Sequence, residues 1–137
     1  MITQAFEEIL LNSALRGDVS KLPDTYYLGL CANHEVDRTM TLADISEVVG
    51  DGYTRLACPR TAIGWQPVKE ETDCLSIRSQ QVTFYPTGTW TPFARMFLCD
   101  VSSGTDGTLL AVSSPLPLDV ELTAEQTYPV AFELYLK

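Results

Sequence analysis

The residues that could do chemistry in this sequence are few and scattered. His34 is the only histidine, and it falls in the polar run ANHEVDRT beside Glu35 and Asp37. A general base or metal ligand needs a set of partners at ligand spacing, and a lone His is a weak signal for either. The run reads as a solvated loop. Asp51, Asp73, Asp100 and Glu133 are carboxylates of the kind that flank a glycosidic bond, but no spacing pairs them. Ser and Asp are plentiful enough for a triad, yet the G-x-S-x-G elbow is absent. Asp100 to Asp106, DVSSGTD, gathers oxygen donors without the regular acidic spacing and closing Glu of an EF-hand. It fits a hairpin connection in which Asp and Ser bond to local backbone N–H groups. Trp65 and Trp90 could stack on a sugar, but Trp90 enters an apolar strand and reads as a cap on the core. Cys31, Cys58, Cys74 and Cys99 form no C-x-x-C pair. The three in or beside apolar strands read as buried free thiols, and Cys74, in EETDC, is the one placed for exposure. These residues assign no catalytic group, no cofactor and no metal.

The elements that would position them are mostly strands. Gln81 to Leu110 holds a short strand (Val82, Phe84), a Pro-Thr-Gly turn closing on Trp90, an apolar strand from Phe93 to Cys99, a polar turn, and a further strand opening at Thr108. Apolar runs bounded by Gly, Pro, Ser and Asp are the mark of antiparallel strands joined by tight turns. Thr25 to Ala32, TYYLGLCA, is apolar at alternate positions on both sides, which predicts a central strand. Tyr53 to Cys58 alternates up to Pro59, and Leu75 with Ile77 marks a short strand. Tyr128 to Leu136 places Val130, Phe132, Leu134 and Leu136 on one face of a single half-buried strand. Pro115 and Pro117 exclude a central strand between them.

One helix is expected, at the N-terminus. Met1 to Arg16 carries Ile2, Phe6, Ile9, Leu10 and Leu15 near helical spacing, with Thr3 as N-cap and Gly17 after Arg16 as the stop. Thr41 to Val49 has Asp44 three residues after a capping Thr41 and could form a short helix. The sum is a single mainly β domain over residues 1–137. It is an antiparallel β-sandwich, jelly-roll-like, over 25–137, led by an amphipathic N-terminal helical arm over 1–17. That helix must lie on its own sheet or on a neighbouring subunit.

Composition narrows the partners. The 137 residues are 45% hydrophobic and 20% charged, and 18 acidic against 9 basic residues give a net charge of −9. An acidic chain of this kind is not expected to bind nucleic acid, whose phosphates need clustered Lys and Arg. Nor is it expected on anionic membranes. The longest apolar run is far too short to cross a bilayer, and the acidic start has no basic n-region of a signal peptide. A soluble protein made in a cytoplasm is expected.

Four stretches together have a familiar order: LLNSALRGDVSKLP; YYLGLCAN; GDGYTRLAC; and VTFYPTGTWTPFARMFLCDVSSGTDGTLLAVSSPL. The order resembles that of small virion proteins of tailed bacteriophages, often labelled tail-fibre proteins. Their pattern runs L-R-G, Y-x-x-L, G-G-Y-x-R, then an F-P…W-G…L-x-D core and a G-G-x-L-L hairpin. Thr91 stands where Gly usually follows the Trp, Gly50-Asp51-Gly52 replaces the Gly pair, and KEETDC is more polar than the pattern. The resemblance implies a non-enzymatic structural protein of the virion, made in the host bacterial cytoplasm. Its first reading is a capsid cement or decoration protein that binds the major capsid protein lattice as a symmetric dimer or trimer. Ile2, Phe6, Ile9, Leu10, Tyr26 and Tyr27 would form the docking surface. The alternatives are a tail-fibre or tail-tip protein meeting a host receptor through loops near His34, Asp73 and Thr87, and a glycan-acting enzyme on the same fold.

Overall fold

The computed structural model describes residues 1–136. In chain order the elements are α1 (Gln4–Arg16), β1 (Thr25–Cys31), a 3-10 turn at Leu42–Asp44, β2 (Leu56–Pro59), β3 (Lys69–Glu70), β4 (Leu75–Arg78), β5 (Val82–Phe84), β6 (Arg95–Cys99), β7 (Leu109–Val112), β8 (Tyr128–Val130) and β9 (Glu133–Leu136). The chain is mainly β, with antiparallel sheets and one N-terminal helix. One four-stranded sheet has the order β2-β1-β6-β7, and two smaller sheets pair β3-β4-β9 and β5-β8.

β1 is the axis, as its two apolar faces predict. It pairs with β2 on one side and β6 on the other, so that Leu28 stands opposite both Leu56 and Leu98. Tyr26, Leu28, Leu30 and Leu98 point into the main core with Phe84, Phe93, Val130 and Phe132. Cys31, Phe97, Cys99 and Val112 face a second, smaller core closed by Val36, Met40, Leu42 and Ile45. Period-two alternation thus sends one strand's side chains into two cores. The layer opposite the central sheet is in two pieces, because the two small sheets share it.

The N-terminal segment belongs to this framework. Thr3 caps α1 by accepting from the Phe6 N–H at 3.2 Å, while its hydroxyl donates to the Leu109 carbonyl at 2.7 Å. The Thr3 N–H donates to Leu110, and the Val112 N–H donates to the Met1 carbonyl, so the first residues extend the edge of β7. Gly17 ends the helix in the left-handed region at φ 70°, the C′ role predicted for it. The helix therefore lies on its own sheet.

Three expectations change. The predicted strand from Tyr128 to Leu136 is split at Ala131 and Phe132, with β8 going to β5 and β9 to β4. Ser79 forces the break: its hydroxyl accepts from the Phe132 N–H at 2.8 Å and its own N–H donates to the Phe132 carbonyl. The stretch from Thr41 to Val49, which could form a short helix, is limited to one 3-10 turn. The capping contact forms, with Asp44 accepting from the Thr41 N–H at 2.8 Å. The end of β1 then captures the following backbone, because Ala32 N–H donates to Ser46 and Val48 N–H donates to Leu30. The strand expected from Tyr53 begins only at Leu56.

Candidate functional site

The candidate catalytic residues are not assembled. His34 is exposed, with Nε2 3.5 Å from a carboxylate oxygen of Asp119, which is exposed too. Asp51 and Asp73 are exposed in turns, Glu133 lies on β9, and Asp100 accepts from the Thr108 N–H at 2.6 Å, the hairpin role predicted for it. Among the described residues, no group of three or more His, Cys, Asp or Glu could hold a metal ion. Trp90 is buried, and its indole N–H donates to the Asp51 carbonyl at 2.8 Å, so it caps the core. Cys31, Cys58 and Cys99 are buried free thiols, and Cys74 is half-buried. Burial pushes the Cys31 thiol up to about 11, which leaves it a poor nucleophile at neutral pH.

The most developed polar arrangement was not singled out in the sequence. The Arg55 side chain is only 4% exposed and reaches Glu47 through Nε at 2.8 Å and Nη2 at 2.9 Å, a two-pronged contact. Its remaining N–H groups donate to the Val101 carbonyl at 3.0 Å and the Gly104 carbonyl at 2.9 Å. The Tyr53 hydroxyl donates to Glu47 at 2.7 Å and accepts from the Leu30 N–H at 3.0 Å. Burial, and then the hydrogen bond to Glu47, push the Tyr53 phenol well above its ordinary value. Every member has partners, so the cluster is a lock that ties the 42–55 segment to the β6–β7 turn. The sequence signal was the alternation of Tyr53 and Arg55 before β2, but nothing in it named Glu47 as the partner.

The six residues expected to dock on a partner divide. Phe6 (4% exposed) and Tyr26 (7%) are core residues, in edge-to-face contact with ring centroids 6.3 Å apart. That corrects their assignment to an exposed surface: the helix turns this face onto its own sheet. Ile9 is half-buried against the same core, and Tyr27 packs on the opposite face of the sheet. Ile2, Phe6, Leu10 and Tyr26 do come together, as part of the wall of an apolar groove of about 830 Å³. The groove runs between α1, the 60–68 loop and the faces of β4 and β9. Trp65 stands in its wall, edge-on to Tyr26 at 5.7 Å, and its indole nitrogen is buried with no hydrogen-bond partner.

No protein-family model matches the chain, and no curated protein matches it.

Turned away from the groove, α1 presents Leu11 (61% exposed) and Leu15 (79%) one turn apart, with Val19 exposed just beyond the cap. No helix among the described residues is long and apolar enough to cross a membrane.

Proposed function

We propose that this chain is a structural protein of a tailed-phage virion, a capsid cement or decoration protein that binds the lattice of the major capsid protein. The reading rests on the resemblance in the order of its motifs, and one structural observation supports it most directly. After the helix has placed Phe6 in its own core, Leu11 and Leu15 remain as an apolar stripe in water, the kind of surface that a protein partner covers. The docking surface is thus moved from the inward residues of the helix to its outward ones. Purified chain mixed with expanded capsids should sediment with them, and the double variant Leu11→Glu/Leu15→Glu should fold normally and lose that binding. Failure of the unaltered chain to bind expanded capsids would sink the cement reading. The same resemblance supports a tail-fibre or tail-tip role, and copy number per particle separates the two: many copies over the lattice for cement, a handful for a tail tip.

A further inference from the structure

The groove between α1 and the β4–β9 face has a second chemistry that the virion reading does not use. Its volume of about 830 Å³ lies in the range of small-molecule sites, about 300–1,000 Å³. Its walls are aliphatic and aromatic, among them Ile2, Leu10, Ile77 and Leu134. Beside the buried Tyr26 phenol, Arg60 is the one ionisable side chain among the described residues that line it. In a chain with net charge −9, the one charged side chain on the groove's lining is a cation. Arg60 has one side-chain partner, Asp24, and the contact is long and open to water. Its nearest carboxylate, on Asp24, is 3.5 Å away and fully exposed, a geometry that exchanges readily for another anion. Trp65 adds a buried indole N–H with no acceptor, in a protein whose other tryptophan has one.

We propose that this groove binds a single-chain amphiphile with a carboxylate head, a free fatty acid, with the chain lying between the helix and the β4–β9 face and the head at Arg60. An alkyl chain removes apolar wall from water. The carboxylate meets the guanidinium in the geometry that arginine favours. A second copy of this chain fits less well. Stable protein interfaces bury about 800 Å² on each partner, whereas this is a concave slot of small-molecule size.

The test uses the full chain with dodecanoate, 1-dodecanol and dodecylammonium as probes, followed by the two indole N–H resonances in a nitrogen-edited NMR spectrum. Dodecanoate should shift the Trp65 signal and leave that of Trp90, whose N–H already has the Asp51 carbonyl. Dodecanol should bind about threefold to fivefold more weakly, in line with one partly exposed ion pair, and dodecylammonium more weakly still. Arg60→Gln should bring dodecanoate down to the dodecanol level without moving dodecanol. Ala62→Trp, at an exposed loop position on the groove wall, should block all three probes. Three results would overturn the proposal: no shift at Trp65 with any probe, equal affinity for the three head groups, or dimerisation that Ala62→Trp abolishes.

Discussion

On one face of the four-stranded sheet, Arg55 and Glu47 meet at 2.8 and 2.9 Å, and the remaining guanidinium N–H groups find carbonyls of the β6–β7 turn. On the other, beyond the aromatic core, the sheet opens toward a groove where a tryptophan N–H has no acceptor and Leu75 and Leu136 stay half exposed. Both faces carry apolar residues from the same strands. The difference lies in what covers them. The small core is closed by the 36–45 loop, with no buried side-chain polar atom unpartnered there among the described residues, and the large one by a helix and a short three-stranded sheet that leave a slot. The first face should therefore be costly to alter and the second cheap.

The largest expected effect is at Arg55. Arg55→Met leaves the Glu47 carboxylate without its countercharge, with the Tyr53 hydroxyl as its remaining donor, and two carbonyls without theirs. Breaking a buried pair in this way costs about 3–5 kcal/mol, and the lower end applies because the Glu47 side chain keeps 26% of its exposure. Urea midpoints should show about 3 kcal/mol for the single variant and much less for Arg55→Met/Glu47→Leu, in which no charge is stranded. A single-variant cost below about 1 kcal/mol would mean that the network is decoration.

Gly29→Ala tests the same face by shape. A Cβ built at Gly29 falls 2.3 Å from the ζ carbon of the Phe97 ring and 2.9 Å from the Tyr53 hydroxyl. Phe97 is fully buried and cannot swing clear. Overpacking of this kind costs about 1–3 kcal/mol, so unfolding should shift by about 2 kcal/mol. A neutral result would show that Phe97 and Tyr53 have room that the structure does not give them.

Much of the stiff half of the molecule is legible in the sequence. TYYLGLC announces β1 and both its cores, and the Phe93 to Leu110 hairpin is readable from its turn residues because local chemistry sets it. Thr3 and Gly17 mark the helix limits for the same reason. The lock and the groove are different, since segments far apart in the chain bring their members together. Glu47 meets Arg55 only because β1 captures the backbone after Ala32. Trp65 joins Tyr26 only because the 60–68 loop folds back along α1. Ser79 splits the C-terminal strand through a contact with Phe132, and alternation of residues 128–136 carries no sign of it.

The Tyr53 phenol gives the comparison a pH dependence. Its folded value is raised above the ordinary value of about 10, so its contribution is present below pH 10. It is lost as pH rises past that value, where the unfolded chain sheds the proton and the folded one holds it. Chemical unfolding from pH 9 to 11 should show stability falling, and Tyr53→Phe should flatten that slope by up to about 1.4 kcal/mol per pH unit. Burial raises Tyr26, Tyr128 and Cys31 as well, so some slope must remain in the variant. An unchanged slope would place the Tyr53 hydroxyl in contact with water and open the lock.

The smallest effect belongs to the groove. Leu75 is 50% exposed and stands opposite Leu136, itself 56% exposed, on the β4–β9 ladder. Had the two small sheets closed over the main core as tightly as residues 36–45 close over the other, Leu75→Ser would remove a packed side chain at about 2–5 kcal/mol. With the groove open, Leu75 already meets water over half its surface, and the variant should stay within about 0.5 kcal/mol in a urea titration. A cost above about 1.5 kcal/mol would mean that the slot is shut in solution. The contrast between the two faces would then vanish, because both would be closed cores that differ only in whether charge or hydrocarbon closes them.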